Sequence, residues 1–257
     1  FAREKYWLPL SNSNKKSLVK TDVIHPLLHQ NISNLTEQRF VSTFTGREFF
    51  LADYIVKGQR ILPGVAYLEM ARAAVEYAAA VFEKTESRIR LKNVLWNNPL
   101  TAGEEPVRVN IGVFPEENGE IGYEIYSESK QDGVEPVIHS QGRASLNIIE
   151  KTPSLDIKAL QGQCTQRTLM PVEIYDIYQA MGIEYGQGYR GIKEIFVGTG
   201  QVLAKLGLPS SVLDTQDQFI LHPGLMDSAL QSIIGILKDD KEAGVEIFPC
   251  MSLPFTA

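Results

Sequence analysis

Cysteine is nearly missing from this 257-residue sequence: Cys164 and Cys250 are its two cysteines, too few for a disulfide framework and at no metal-ligand spacing. That scarcity points to a reducing compartment, and the cytoplasm is the expected location. A basic excess is also missing. Lys and Arg number 25 against 31 Asp and Glu, a formal net charge of -6, which excludes the electrostatic footprint of a nucleic-acid binder. No apolar run approaches the roughly 20 residues that span a bilayer. The opening Phe1-Ala2-Arg3-Glu4-Lys5 lacks the apolar core of a signal peptide. There is no initiator Met, so the chain reads as a piece of a longer polypeptide. What remains is ordinary: 44% apolar and 22% charged residues exclude disorder and collagen and leave a globular protein.

Most of the chain alternates apolar and polar residues, as half-buried strands do. Val107 to Val113, Tyr123 to Tyr126 and Arg143 to Ile148 follow this pattern, and Asn118-Gly119 marks a hairpin between the first two. Two runs break it. From Pro63 to Phe82 the only charges before the end are Glu69, Arg72 and Glu76, which fall at helical spacing along one stripe. From Pro223 to Leu237 a second helical run holds a single charge, Asp227. Helices so apolar must be wrapped, most simply by curved sheets. Both begin with Pro-Gly, which suggests two similar halves, each a sheet around its own helix: an α+β architecture. Residues 149–171, with Thr152-Pro153-Ser154 near their start, have the polar character of a linker.

The four histidines give no metal set. His25 and His29 lie four apart, but the intervening Pro-Leu-Leu reads as a turn or strand start, not a helix face. Gly186-Gln187-Gly188-Tyr189-Arg190-Gly191 has the spacing of a dinucleotide loop, yet no apolar strand precedes it and no helix pattern follows. Asp227 is the most informative residue. A carboxylate in an apolar helix needs a partner, and Gln231, four residues on, shares its face. A first-turn acid stabilised by the helix dipole is the plainer alternative. At the other helix start, Pro63-Gly64 would aim backbone N–H groups at a ligand, and glycine allows a carbonyl oxygen to come close. A common proline-led helix start explains the same residues.

Together these segments resemble the dehydratase domain of modular polyketide synthases. The motifs are Phe1 to Pro9 (a linker end), His25-Pro26-Leu27-Leu28, Leu62-Pro63-Gly64-Val65-Ala66-Tyr67-Leu68-Glu69, His139-Ser140-Gln141-Gly142-Arg143, Tyr185-Gly186-Gln187-Gly188-Tyr189 and His222-Pro223-Gly224-Leu225-Met226-Asp227-Ser228-Ala229-Leu230-Gln231. They cover nearly the whole chain in family order, and their flavour is similar to bacterial synthases with a separate (trans) acyltransferase. The resemblance implies a double hotdog: a linker end at 1–20, an N-terminal hotdog at 21–150, an inter-hotdog linker at 151–170 and a C-terminal hotdog at 171–257. It implies a lyase domain in a multifunctional enzyme of antibiotic biosynthesis. Such a domain removes water from a 3-hydroxyacyl thioester to give an enoyl thioester. The substrate, a polyketide acyl chain, rides on the phosphopantetheine arm of acyl carrier protein, so no separate cofactor is expected. Acyl carrier protein and neighbouring synthase domains are the implied partners, with neither nucleic acid nor membrane; relatives often pair, which implies a homodimer.

Carried over by position, the resemblance makes Asp227 the acid, Gln231 its orienter, Tyr185 a hydrogen-bond donor near the leaving hydroxyl and Gly64 an amide donor to the thioester oxygen. Pro63, Tyr189 and His222 complete the orienting and substrate-binding set. The departure is at the base. The family pattern His-x-x-x-Gly-x-x-x-x-Pro keeps Gly58 and Pro63, but its first position is Tyr54. Phenol titrates near ~10 and imidazole near ~6.5, so an ordinary tyrosine is ionised to about one part in a thousand at pH 7. With Asp227 and Gln231 intact, a single natural or introduced change is implied, and dehydration is expected to be impaired or absent. The alternatives are a non-catalytic module that binds acyl carrier protein or, less in keeping with the retained aspartate, an enoyl isomerase. The chain also stops at Leu253-Pro254-Phe255-Thr256-Ala257, where family members continue, so a truncated second hotdog is expected.

Overall fold

Residues 23–80, 88–128, 133–147 and 154–237 are described by this computed structural model. The linker end at 1–20, Cys250 and the Leu253-Pro254-Phe255 terminus lie outside the described residues.

The alternation in the first half closes into a six-stranded antiparallel sheet. Its order is Gln30–Asn31, Gln38–Phe44, Val107–Pro115, Ile121–Ser127, Val137–Asn147 and Arg88–Trp96. Gly119 takes the left-handed φ of 81° in the expected Asn-Gly turn, and its N–H donates to Glu116 O at 3.0 Å. The helix Gly64–Ala80 packs on this sheet. Met70, Ala71, Ala74 and Val75 are fully buried in one core with Val109, Ile111 and Ile125. Two of its three stripe charges are buried: Glu69 is 0% exposed and Arg72 only 8%.

In the second half, Arg167–Leu169, Ile192–Gly198 and Gln201–Leu206 form a three-stranded antiparallel sheet. The helix Pro223–Gln231 packs against the strand Gln201–Leu206 and against the first helix. The second run is not one continuous helix. Ser232 N and Ile233 N reach back only three residues, to Ala229 O and Leu230 O, before a short helix Ile234–Leu237. Tightening there brings Gly235 onto the sheet so closely that a Cβ would stand 2.8 Å from Val202 Cγ1.

Two expectations need correction. The span 151–170 is not plain linker: its described part holds the helix Ile157–Gln163, capped by Asp156 Oδ1 on Ala159 N at 3.1 Å. It also holds Arg167–Leu169, which pairs with Ile195 to Val197 as a sheet edge. Nor does each half keep to its own sheet. A four-stranded sheet of order Ile183–Tyr185, Tyr54–Val56, Gln59–Ile61 and Thr101–Ala102 takes its first strand from the second half. Tyr185 stands directly opposite Tyr54 in that pairing. The hairpin after Tyr54 turns on Lys57 and Gly58, both at positive φ (49° and 77°), as a two-residue primed turn requires.

Candidate active site

The two halves enclose a cavity of about 620 Å³. Tyr54, Gly64, Tyr67 and Trp96 line it from the first half; Asp227, Leu206, Leu230 and Ile233 line it from the second. The walls are mostly apolar, and among the described residues Asp227 is the only acidic or basic side chain on them.

Asp227 stands in the second turn of its helix and is 6% exposed. Gln231 Nε2, one turn on, donates to its Oδ2 at 2.8 Å, and the Tyr185 phenol donates as well. Burial pushes the carboxyl up to about 6, against the downward pull of these two hydrogen bonds. The folded state therefore favours the protonated acid. Its contribution to stability is complete below the ordinary value of 3.8 and is lost as pH rises through about 6. Asp227→Asn, which mimics the neutral acid, is expected to gain about 3 kcal/mol over the parent at pH 8 and almost nothing at pH 4. Urea midpoints at the two pH values check this; an equal effect at both would refute it.

The other predicted residues divide into those in the cavity and those behind it. Gly64 is a lining residue whose bare face meets the Trp96 indole: a Cβ would stand 3.1 Å from Nε1, which donates to Gly64 O at 3.0 Å. At this helix start the first amides have no intrahelical acceptor. Tyr54 packs edge-on against Tyr185 and Tyr189, both at 5.4 Å between ring centroids. Tyr189 is wholly buried behind the wall. Its phenol donates to Phe50 O, and its carbonyl accepts from Gln231 Nε2 at 3.1 Å and Ser228 Oγ at 3.2 Å. Pro63 is buried just ahead of the helix and is not a wall residue.

None of the four histidines lines the cavity. His222 caps the Asp227 helix: its Nδ1 accepts from Gly224 N at 3.2 Å, its Nε2 meets Thr215 Oγ1 at 3.0 Å, and its ring stacks on Phe49. Burial lowers its pKa, which keeps the ring a neutral acceptor. His139 donates from Nδ1 to Asn98 O, and His29 Nδ1 accepts from Thr43 N. His25 reaches Glu69 instead of pairing with His29. Among the described residues no group of three or more His, Cys, Asp or Glu could hold a metal ion, and no single helix is long and apolar enough to cross a membrane. The glycine-rich loop leads through a short 3-10 turn, Gln187–Tyr189, into a strand, so the helix of a dinucleotide site does not follow it.

Sequence reasoning missed Tyr67, Trp96 and Glu69. Tyr67 lies three residues after Gly64 on the same helix, and that spacing was the available signal. Trp96 comes from a strand end with no motif to flag it. Glu69 is a buried hub: it accepts from Arg72 Nε at 2.8 Å and Nη2 at 3.0 Å, from His25 Nε2 at 3.2 Å, and from Ile220 N and Leu221 N at 3.0 and 2.9 Å. Its helical spacing to Arg72 within an apolar run was the hint in the sequence.

Residues 25–128 match the family model "Polyketide synthase dehydratase domain", and residues 153–254 match "Polyketide synthase dehydratase N-terminal domain". Polyketide synthase PksN of Bacillus subtilis (strain 168) is 48% identical over 240 residues, which cover 90% of this chain and 4% of that protein. The chain thus spans a small part of such curated relatives. A solved trans-AT PKS dehydratase domain from Brevibacillus brevis is 50% identical, with a TM-score of 0.81, and the match covers 86% of this chain and 77% of that one. An inactive His-to-Phe mutant of the CurK dehydratase is 25% identical at a TM-score of 0.73, over 82% of this chain and 74% of that one.

Proposed function

Because the chain belongs to the polyketide synthase dehydratase family, we propose that its cavity receives a 3-hydroxyacyl thioester from acyl carrier protein, with Tyr54 in the place of the general-base histidine. The observation that carries this reading is the meeting of Tyr54 and Asp227, from opposite halves, on one apolar cavity without a histidine.

Water loss needs two proton transfers. A base removes the Cα proton, the freed electron pair forms the Cα–Cβ double bond, and the Cβ–O bond breaks. The hydroxyl departs as water with a proton from an acid. Asp227 suits the second role, since a carboxyl near 6 still carries a proton part of the time at neutral pH. Tyr185 and Gln231 hold its orientation. The Gly64 end of the first helix suits the thioester oxygen, where charge develops as the Cα proton leaves. The first role falls to the Tyr54 position, and an ordinary phenol carries its proton at neutral pH and donates instead of accepting. Elimination is consequently slow or absent, in keeping with the inactive His-to-Phe mutant of the CurK dehydratase.

The test is incubation of the chain with a 3-hydroxyacyl pantetheine thioester, with loss of 18 mass units and ligand binding read side by side (an 18 Da shift being the mass of about one water). Binding with little or no turnover is expected. Rapid turnover would overturn the impairment, and absence of binding would overturn the substrate. The phenol at position 54 also favours a second reading, a non-catalytic module that holds the carrier-bound chain; it predicts that no substitution at 54 produces turnover.

A further inference from the structure

We propose that Asp53 is a positioning residue for Asp227: from the first half it fixes the glycine loop of the second half on which the hydrogen-bond donors to Asp227 hang.

The loop Tyr185-Gly186-Gln187-Gly188-Tyr189 carries two glycines that its backbone does not demand. Gly186 is extended, at φ -72° and ψ 179°, and neither glycine is among those with positive φ. Space demands them instead. A Cβ on Gly186 would collide with the Asp53 carboxyl group, and one on Gly188 would stand 2.9 Å from Asp53 Oδ2. Into that clearance Asp53 places both of its acceptors. Its carbonyl takes the Gly186 N–H at 2.8 Å, and its Oδ2 takes the Gly188 N–H at 2.7 Å. Asp53 is the C-cap of the short helix Phe49–Ala52, and the next residue, Tyr54, starts the strand opposite Tyr185. One rigid corner therefore holds the loop at two points.

From the loop two arms reach the acid. The Tyr185 phenol donates to Asp227, and the Tyr189 carbonyl anchors Gln231 Nε2, which also donates to Asp227 Oδ2. Both arms stabilise the carboxylate. Among the described residues, the other ionisable groups around this corner include Tyr54, Tyr175, Tyr178, Tyr189 and Arg190, whose Nε donates to Tyr185 O at 2.9 Å. The charge of Asp53 acts in the opposite sense to its positioning. A nearby negative charge disfavours ionisation of Asp227, so charge removal alone lowers the Asp227 midpoint, whereas loss of the two donors raises it. The sign of the change separates the two effects.

The role matters for catalysis only if Asp227 is the acid, but its test needs no substrate, so failure of the dehydratase reading leaves it intact. The full chain is labelled with [13Cγ]aspartate, and the Asp227 resonance, identified by its loss in Asp227→Asn, is titrated. Asp53→Ala is expected to raise the midpoint by about one pH unit. Asp53→Asn keeps an acceptor oxygen but loses the charge, and is expected to bring the midpoint back to the parent value or slightly below it. Tyr185→Phe raises the midpoint by itself, and adding Asp53→Ala to it is expected to raise it by less than Asp53→Ala does alone, because only the Tyr189–Gln231 arm is left to loosen. An unmoved or lowered midpoint in Asp53→Ala, or full additivity with Tyr185→Phe, overturns the proposal. Should Asp53→Ala not fold, Gly188→Ala, which crowds the same carboxylate, decides: a raised midpoint supports the proposal and an unchanged one overturns it.

Discussion

Tyr54→His is expected to raise the rate of water loss from a 3-hydroxyacyl thioester by about 10²–10⁴-fold, the usual worth of a general base matched to neutral pH. Protonation sets the difference. An imidazole is mostly unprotonated at pH 7, while an ordinary phenol lies about three pK units too high, a deficit of roughly 4 kcal/mol in available base. The other parts of the site already stand in position: Asp227 lines the same cavity, and Tyr185 and Gln231 hydrogen-bond to it. Histidine is smaller than tyrosine, so it enters without crowding the Tyr185 and Tyr189 rings that flank position 54. Tyr54→Phe should bring no gain, and Tyr54→His combined with Asp227→Asn should lose most of it. The readout is the rate of enoyl thioester formation under saturating substrate. Failure of Tyr54→His to produce any enoyl product, with binding intact, would sink the dehydratase reading and favour the non-catalytic module.

Glu69→Ala is expected to cost about 3–5 kcal/mol, the usual effect of stripping one partner from a buried ion pair. Glu69 is 0% exposed, and its two oxygens gather a guanidinium, an imidazole and two backbone amides. Without them Arg72 keeps, among the described residues, only Glu76, at the helix surface, and the Ile220 and Leu221 amides lose their acceptor. Burial pushes the Glu69 carboxyl up, but the hydrogen bonds from His25, Arg72, Leu221 and Ile220 outweigh it and hold the group at about 2. Because that value is below the ordinary 4.5, its stabilisation is complete above pH 4.5 and is lost as pH falls through about 2. The variant should therefore show a lower urea midpoint at pH 7 and a gap from the parent that shrinks toward pH 2. Glu76→Ala, at a side chain 54% exposed, is the control and should change stability by at most about 0.5 kcal/mol. Equal effects of the two substitutions would refute the hub.

The Glu69 clamp also ties the two central helices together. Leu221 immediately precedes His222-Pro223, where the Asp227 helix begins. The carboxylate on the first helix thus sets the start of the second, and the relative placement of Gly64 and Asp227 depends on it.

What could be read without coordinates was whatever local chemistry dictates. Apolar alternation gave the strands around Val109, Ile111 and Val113, and the Asn118-Gly119 pair marked its turn, because side-chain direction and left-handed φ are properties of a few neighbouring residues. Pro-Gly starts and apolar content gave both helices, and motif order gave the family. The continuous helix to Leu237 and the plain linker at 151–170 were misread for the same reason in reverse. Each depends on a sheet that the segment packs against or joins, which residue type alone does not reveal.

The sequence by itself determined which groups this protein owns: a carboxylic acid in an apolar helix, a phenol at position 54, and two glycines beside an aromatic pair. Only the tertiary structure decided what those groups do to one another. Tyr185 is brought opposite Tyr54 by pairing between halves, Gly188 meets Asp53 across 135 residues, and Ile220 meets Glu69 across 151. The physical reason is that desolvation and hydrogen bonding act through space over a few ångströms, so the acidity of Asp227 belongs to the cavity wall around it and not to the segment that encodes it.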